Sequence, residues 1–170
     1  MDREFLDKLL EQISVSGCEE CGQEVVKSHM QPFSDEIWTD EMGDVICILN
    51  PESPVRVMLS AHADEIGLLV TRITEEGRIQ AIERGGIIHQ NYPGQKVRIH
   101  TQKGIVYGVL ECSRELFKQD NLKASDFLID IGATSKKDAE EYVSLGDTVV
   151  LDAGVRELAN GRLAARAFDD

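Results

Sequence analysis

Val55-Arg56-Val57-Met58-Leu59-Ser60-Ala61-His62-Ala63-Asp64-Glu65-Ile66-Gly67 is the stretch on which the fold turns. Its first seven residues are mostly apolar and lack clean alternation, the pattern of a central strand buried on both faces of an α/β sheet. That places His62 at the carboxyl end of the strand, where ligands bind in open α/β sheets. Side chains alternate along extended backbone, so His62 and Asp64 point to the same side. An Asp two residues beyond a His can accept the second imidazole N–H, which fixes the tautomer and leaves the other nitrogen free for a metal. An isolated His-x-Asp is also an ordinary surface hydrogen bond. Spacing alone does not separate the two, although the position after a buried strand favours the metal.

Upstream, Phe5, Leu6, Leu9, Leu10 and Ile13 fall at helical spacing, and a second helical pattern runs from Glu19 to Met30 before Pro32 stops it. Strands are expected over Glu36–Asp40 and Val45–Leu49, turned through Met42-Gly43-Asp44. Downstream the texture changes to short strands punctuated by glycine. These are Leu68–Ile73, Arg78–Ile82, Gln95–His100, Ile105–Leu110, Phe127–Ile131 and Thr148–Leu151. Within that region only Lys136–Val143 reads as helix, entered through Ser135 as N-cap. Such a run of strands suggests a small β-barrel or sandwich. Arg162–Phe168 is expected to be one more strand, after the Asn160-Gly161 turn. The whole reads as an α/β beginning, a β insertion and a return.

The chain has 170 residues, 42% of them hydrophobic and 29% charged, as in an ordinary globular protein. Its 18 Lys plus Arg against 31 Asp plus Glu give a net charge of -13. That balance argues against nucleic acid and against an anionic membrane surface as partners. Apolar runs are too short to span a bilayer, and the charged N-terminus lacks the apolar segment of a signal peptide, so a cytoplasmic protein is expected. Cys18, Cys21, Cys47 and Cys112 are too few for a disulfide scaffold. Cys18-Glu19-Glu20-Cys21 has the spacing of half a zinc ribbon or of a redox pair. With no second Cys-x-x-Cys, it reads as reduced thiols on or near a helix.

A serine-hydrolase reading of Ser60, His62 and Asp64 fails, because three alternating residues on one strand cannot form a relay and no Gly-x-Ser-x-Gly elbow exists. No P-loop or dinucleotide fingerprint is present. His29, His89 and His100 carry weaker signals. The final residues, Ala164-Ala165-Arg166-Ala167-Phe168-Asp169-Asp170, end on two carboxylates. They suit either a solvated tail or oxygen ligands for divalent cations, and spacing does not decide.

Ala61-His62-Ala63-Asp64-Glu65-Ile66-Gly67 resembles the first metal-binding motif of the tetrahedral aminopeptidase and glutamyl aminopeptidase family. These are dinuclear metallo-exopeptidases, some historically labelled endoglucanases. Further matches follow in family order: Ser16-Gly17, Asp40–Val45, Gly85-Gly86, Pro93-Gly94-Gln95-Lys96-Val97, Ile129-Asp130-Ile131-Gly132-Ala133, Gly146-Asp147 and Ala167-Phe168-Asp169-Asp170. The resemblance spans essentially the whole chain, although Glu111–Ser125 departs from the usual wording and Asp44 stands where Asn is common.

The resemblance implies the N-terminal part of a zinc-exopeptidase-like α/β domain with an inserted small β-barrel dimerisation domain. Residues 1–69 would begin the catalytic domain, 70–160 would form the insertion, and 161–170 would return to the catalytic domain. His62 would bind one metal, Asp64 would orient His62, and Asp169 would bridge two Zn or Co ions, with a cis peptide bond to Asp170. Peptides would be the substrates, losing N-terminal residues, and dimers would build larger homo-oligomers. Family members run to twice this length. Their adjacent Glu pair, a further acidic ligand and the last metal-binding His would all lie beyond Asp170. Two readings follow: part of a metallo-aminopeptidase, with weak or absent metal binding in these 170 residues alone, or a non-catalytic oligomerisation or interaction module.

Overall fold

Asp2 opens the first helix, α1 (Arg3–Glu11), its carboxylate accepting the Phe5 N–H at 3.1 Å as an N-cap should. The computed structural model describes residues 2–169, with the side chain of Phe117 set aside. The chain divides into two units, one running to Glu65 and resuming at Gly154, the other spanning Ile66–Ala153.

In the first unit, α1 lies beside α2 (Glu20–Met30), and a 3₁₀ turn containing Pro32 closes α2. The strands β1 (Glu36–Thr39) and β2 (Val45–Ile48) pair as an antiparallel ribbon. The Asp40 carboxylate binds the Met42 and Asp44 N–H groups at the turn. The apolar run that reads as a buried central strand is not one. Residues 55–61 carry no strand pairing, and Val57, Met58 and Leu59 are 82%, 86% and 93% exposed. A strand is buried only when neighbours flank it, and no described residue pairs with this segment. The return segment is also shorter than expected. Only β10 (Leu163–Ala164) forms, paired with β9 (Arg156–Glu157). Ala167, at φ +57°, ends extended geometry there.

The second unit is a closed six-stranded antiparallel barrel. Its strands are β3 (Gly67–Ile73), β4 (Ile79–Arg84), β5 (Lys96–Thr101), β6 (Gly104–Leu110), β7 (Ile129–Asp130) and β8 (Thr148–Leu151), in the order β3-β4-β7-β6-β5-β8. Alternation explains the core. Val97 and Ile99 of β5 face in, while Ile105, Tyr107 and Val109 of β6 face out. A bulge between Val70 and Arg72 resets the alternation of β3, so Leu68, Val70 and Ile73 all reach the core. Phe127 fills the centre, its ring stacked on Tyr92 at 5.9 Å. The expected helix at 136–143 is a single turn, α3 (Lys136–Ala139), capped by Ser135 as the sequence implies. Beyond it the Tyr142 and Val143 N–H groups share the Ala139 carbonyl, and the chain turns at Gly146. Chain entry and exit lie together, because β3 and β8 are antiparallel neighbours with Leu68 opposite Val149.

No helix among the described residues is long and apolar enough to cross a membrane.

Candidate metal centre

Three side chains from two distant stretches of the sequence meet in the first unit. His62 and Asp64 come from the segment after the exposed run, and Asp169 from the end of the return. His62 Nδ1 lies 2.9 Å from Asp64 Oδ1, and His62 Nε2 lies 3.2 Å from Asp169 Oδ1. Each ring nitrogen therefore has its own carboxylate. Asp64 takes the nitrogen facing away from Asp169, the arrangement that would present Nε2 to a cation held with Asp169.

Asp64 is itself held. Its other oxygen accepts a short hydrogen bond from the Ser16 hydroxyl. That bond, with the His62 ring as a lesser contributor, holds the Asp64 carboxyl below its ordinary range, against the opposing effect of burial. A carboxylate kept ionised and fixed by a hydroxyl suits the task of orienting an imidazole. Ser16 follows Val15, whose backbone bridges Glu65 in parallel, so the turn at Ser16-Gly17 is fixed to the segment bearing Asp64.

All three side chains line a cleft of about 950 Å³ that also touches β2 and residues 55–61. The site is open: the Asp169 side chain is 95% exposed, His62 46% and Asp64 37%. An imidazole nitrogen beside a carboxylate oxygen is a donor pair that suits zinc or cobalt. Among the described residues, no three His, Cys, Asp or Glu side chains are placed to hold one metal ion together. A tetrahedral site needs further donors than this pair supplies. Asp170, and with it the expected cis peptide bond, lies outside the described residues.

The other histidines stay away from this centre. His29 stacks on Phe5 at 3.9 Å, and His89 packs in the barrel against Phe127. His100 lies on β5, paired with Thr148 and Ile105. Cys21 lies on α2 with Cys18 just before it, while Cys47 and Cys112 are free thiols. Two contributors had little voice in the sequence. Ser16 is marked by the Gly17 turn and the family match at Ser16-Gly17 without any role for its hydroxyl, and Arg166 only by being a single cation among small residues. The Arg166 guanidinium reaches back to Glu65, the residue after Asp64.

Comparison with known proteins points one way. The family described as M42 glutamyl aminopeptidase matches residues 43–170. The lysyl aminopeptidase of Pyrococcus furiosus is 31% identical over 178 aligned positions, which take in 100% of this chain and 51% of that protein. The aminopeptidase of Desulfurococcus kamchatkensis superposes with a TM-score of 0.91 at 30% identity, over 98% of this chain and 47% of that one. The TET1 peptidase of Pyrococcus horikoshii, which can assemble into a tetrahedron or a large octahedral shell, superposes at 0.87 with 34% identity. That match covers 98% of this chain and 51% of that one. The chain thus spans about half the length of the curated relatives it matches.

Proposed function

Because the chain belongs to the M42 glutamyl aminopeptidase family, we propose that it is the N-terminal part of a metal-dependent aminopeptidase that removes N-terminal residues from peptides. One observation carries the reading: His62 stands between two carboxylates, with one ring nitrogen on Asp64 and the other beside Asp169. In this reading His62 and Asp169 would hold the metal ions, and Asp64 would fix the tautomer of His62. Bound Zn or Co ions would supply Lewis-acid polarisation of the scissile carbonyl and acidify a bound water.

The chain's own residues prepare that chemistry. Ser16 donates to Asp64, which keeps the carboxylate ionised, and Asp64 then orders the Nδ1 side of His62. Asp169 lines the cleft with an exposed side chain, open to an incoming peptide. The proposed division of the chain is catalytic domain over 1–69, inserted dimerisation barrel over 70–160, and return over 161–170. Assembly into homo-oligomers would then proceed through that barrel, in a cytoplasmic enzyme without nucleic-acid or membrane partners.

The donor count supports a second reading for these 170 residues taken alone. Two converging ligands hold a metal weakly, so a non-catalytic oligomerisation or interaction module is the alternative. The intact mass of the natural product and the coding sequence after Asp170 separate the two. An open frame carrying a Glu pair and a further His supports the peptidase; an early stop supports the module. On the peptidase reading, His62→Ala in the natural product abolishes hydrolysis of amino-acid anilides and removes one metal from the protein, measured by elemental analysis. Unchanged turnover and metal content would overturn the assignment.

A further inference from the structure

The two arms of the centre, residues 62–64 and residue 169, are not joined by strand pairing among the described residues. Their separation must be set by something else. We propose that Arg166, paired with Glu65, is the positioning residue that holds His62 and Asp169 at ligand separation; the proposal rests on the metal-centre reading of those two side chains.

The pair sits where such a device must sit. Glu65 directly follows Asp64, and Arg166 lies three residues before Asp169. Their side chains are only 6% and 9% exposed. One guanidinium nitrogen, Nη1, donates to Glu65 Oε1 in a short contact. The other, Nη2, donates to the Leu10 carbonyl at 3.2 Å and to the Gln12 carbonyl. Those carbonyls lie at the carboxyl end of α1, where helical oxygens lack partners within the helix. Glu65 is tied to the same place. Its Oε1 accepts the Ser14 N–H at 3.2 Å, and its own N–H donates to the Ser14 carbonyl at 2.8 Å. One planar group therefore locks the end of α1, the segment bearing His62 and Asp64, and the segment bearing Asp169.

Stability alone does not call for this arrangement. Removing two charges from water is costly, and a buried ion pair is often no better than an apolar pair of similar volume. Here the compensation is incomplete, since the buried Arg166 Nε has no hydrogen-bond partner among the described residues. What the pair supplies is geometry. A guanidinium offers donors at fixed angles, which an ammonium on a flexible stem does not. Ala167 then turns the chain at φ +57° towards Asp169, so the direction set at Arg166 carries over to the carboxylate. Two ligands of one zinc ion must lie within about 4 Å of each other, and the 3.2 Å between His62 Nε2 and Asp169 Oδ1 meets that limit. Functional constellations tolerate errors of only about 0.5 Å, so a clamp this close to both ligands bears directly on affinity.

The test uses the 170-residue chain and Zn²⁺ alone, titrated by calorimetry, with His62→Ala marking site-dependent binding. Arg166→Lys keeps the charge and loses the fork. It should weaken His62-dependent Zn²⁺ binding about tenfold or more, as losses next to the ligands do. Glu65→Gln keeps the acceptor and loses the charge, and should stay within about threefold of the wild type, whereas Glu65→Ala should match Arg166→Lys. Wild-type affinity in Arg166→Lys, or equal losses in Glu65→Gln and Glu65→Ala, would overturn the proposal. Hydrogen exchange at the Glu65 amide gives a reading that needs no metal. In Arg166→Lys it should accelerate about tenfold while barrel amides keep their protection. If the wild type shows no His62-dependent binding, as two converging ligands alone allow, the exchange result decides the clamp. Unchanged Glu65 exchange would overturn it, as would loss of protection throughout the chain, which would mark a merely structural pair.

Discussion

At the scale of single residues, the chain of contacts from Ser16 through Asp64 to His62 makes a graded prediction. Asp64→Asn removes the charge that orders the imidazole, and should weaken Zn²⁺ binding about 10- to 100-fold. Ser16→Ala leaves the carboxylate in place with one bond fewer, so its loss should be smaller, and calorimetric titration of both variants checks the order. Asp64 also titrates below the usual aspartate value because the Ser16 hydroxyl and the His62 ring favour its ionised form. Its contribution to stability is therefore complete above the unfolded value of about 3.9 and is lost as pH falls through the lower folded value. Urea unfolding at pH 7 and pH 3 should show wild type and Asp64→Asn converging in acid; a constant gap would contradict the assignment. His62, Asp64 and Asp169 were legible as residue types in a suggestive order. Arg166 and Glu65 were not, because a buried ion pair across a hundred residues leaves no periodicity for a sequence to display.

Among elements, the barrel strands were the most legible, since turn glycines and alternating apolar residues report local geometry. Gly77 shows how specific that punctuation is. It adopts φ +81°, and a Cβ there would meet the Ser135 carbonyl oxygen at 2.8 Å. Gly77→Ala should therefore cost about 2–4 kcal/mol, from left-handed strain and a backbone clash together, read as a lower urea midpoint at unchanged slope. The segment Val55–Ala61 taught the opposite lesson. Its composition states what the strand would do when flanked, and composition carries no information on whether the flanking strands are at hand. The shortened return strand has a similar origin. Nothing in Arg162–Phe168 as a string announces that Ala167 turns left-handed, because a residue with a Cβ ordinarily avoids that region.

At the scale of the whole molecule, the exposed run is a liability with a measurable outcome. Val55, Val57, Met58 and Leu59 are all more than 70% exposed, with no strand partner among the described residues. Apolar segments of that kind recruit other chains. The 170-residue chain should self-associate in light scattering, with Met58→Lys and Leu59→Lys together lowering the apparent mass. A clean monomer at high concentration would contradict this. The barrel should behave differently. It has its own core and a closed sheet without free edges, so residues 66–153 expressed alone should unfold in one cooperative transition followed by circular dichroism. The antiparallel neighbours β3 and β8 add a topological consequence. Because the barrel begins and ends on adjoining strands, it acts on the surrounding chain as a short staple. The loop entropy charged for an insertion is that of the gap between its ends, and the number of residues inside a folded insert hardly enters. Natural variation can therefore exchange, enlarge or delete such a module without re-engineering the polypeptide on either side of it.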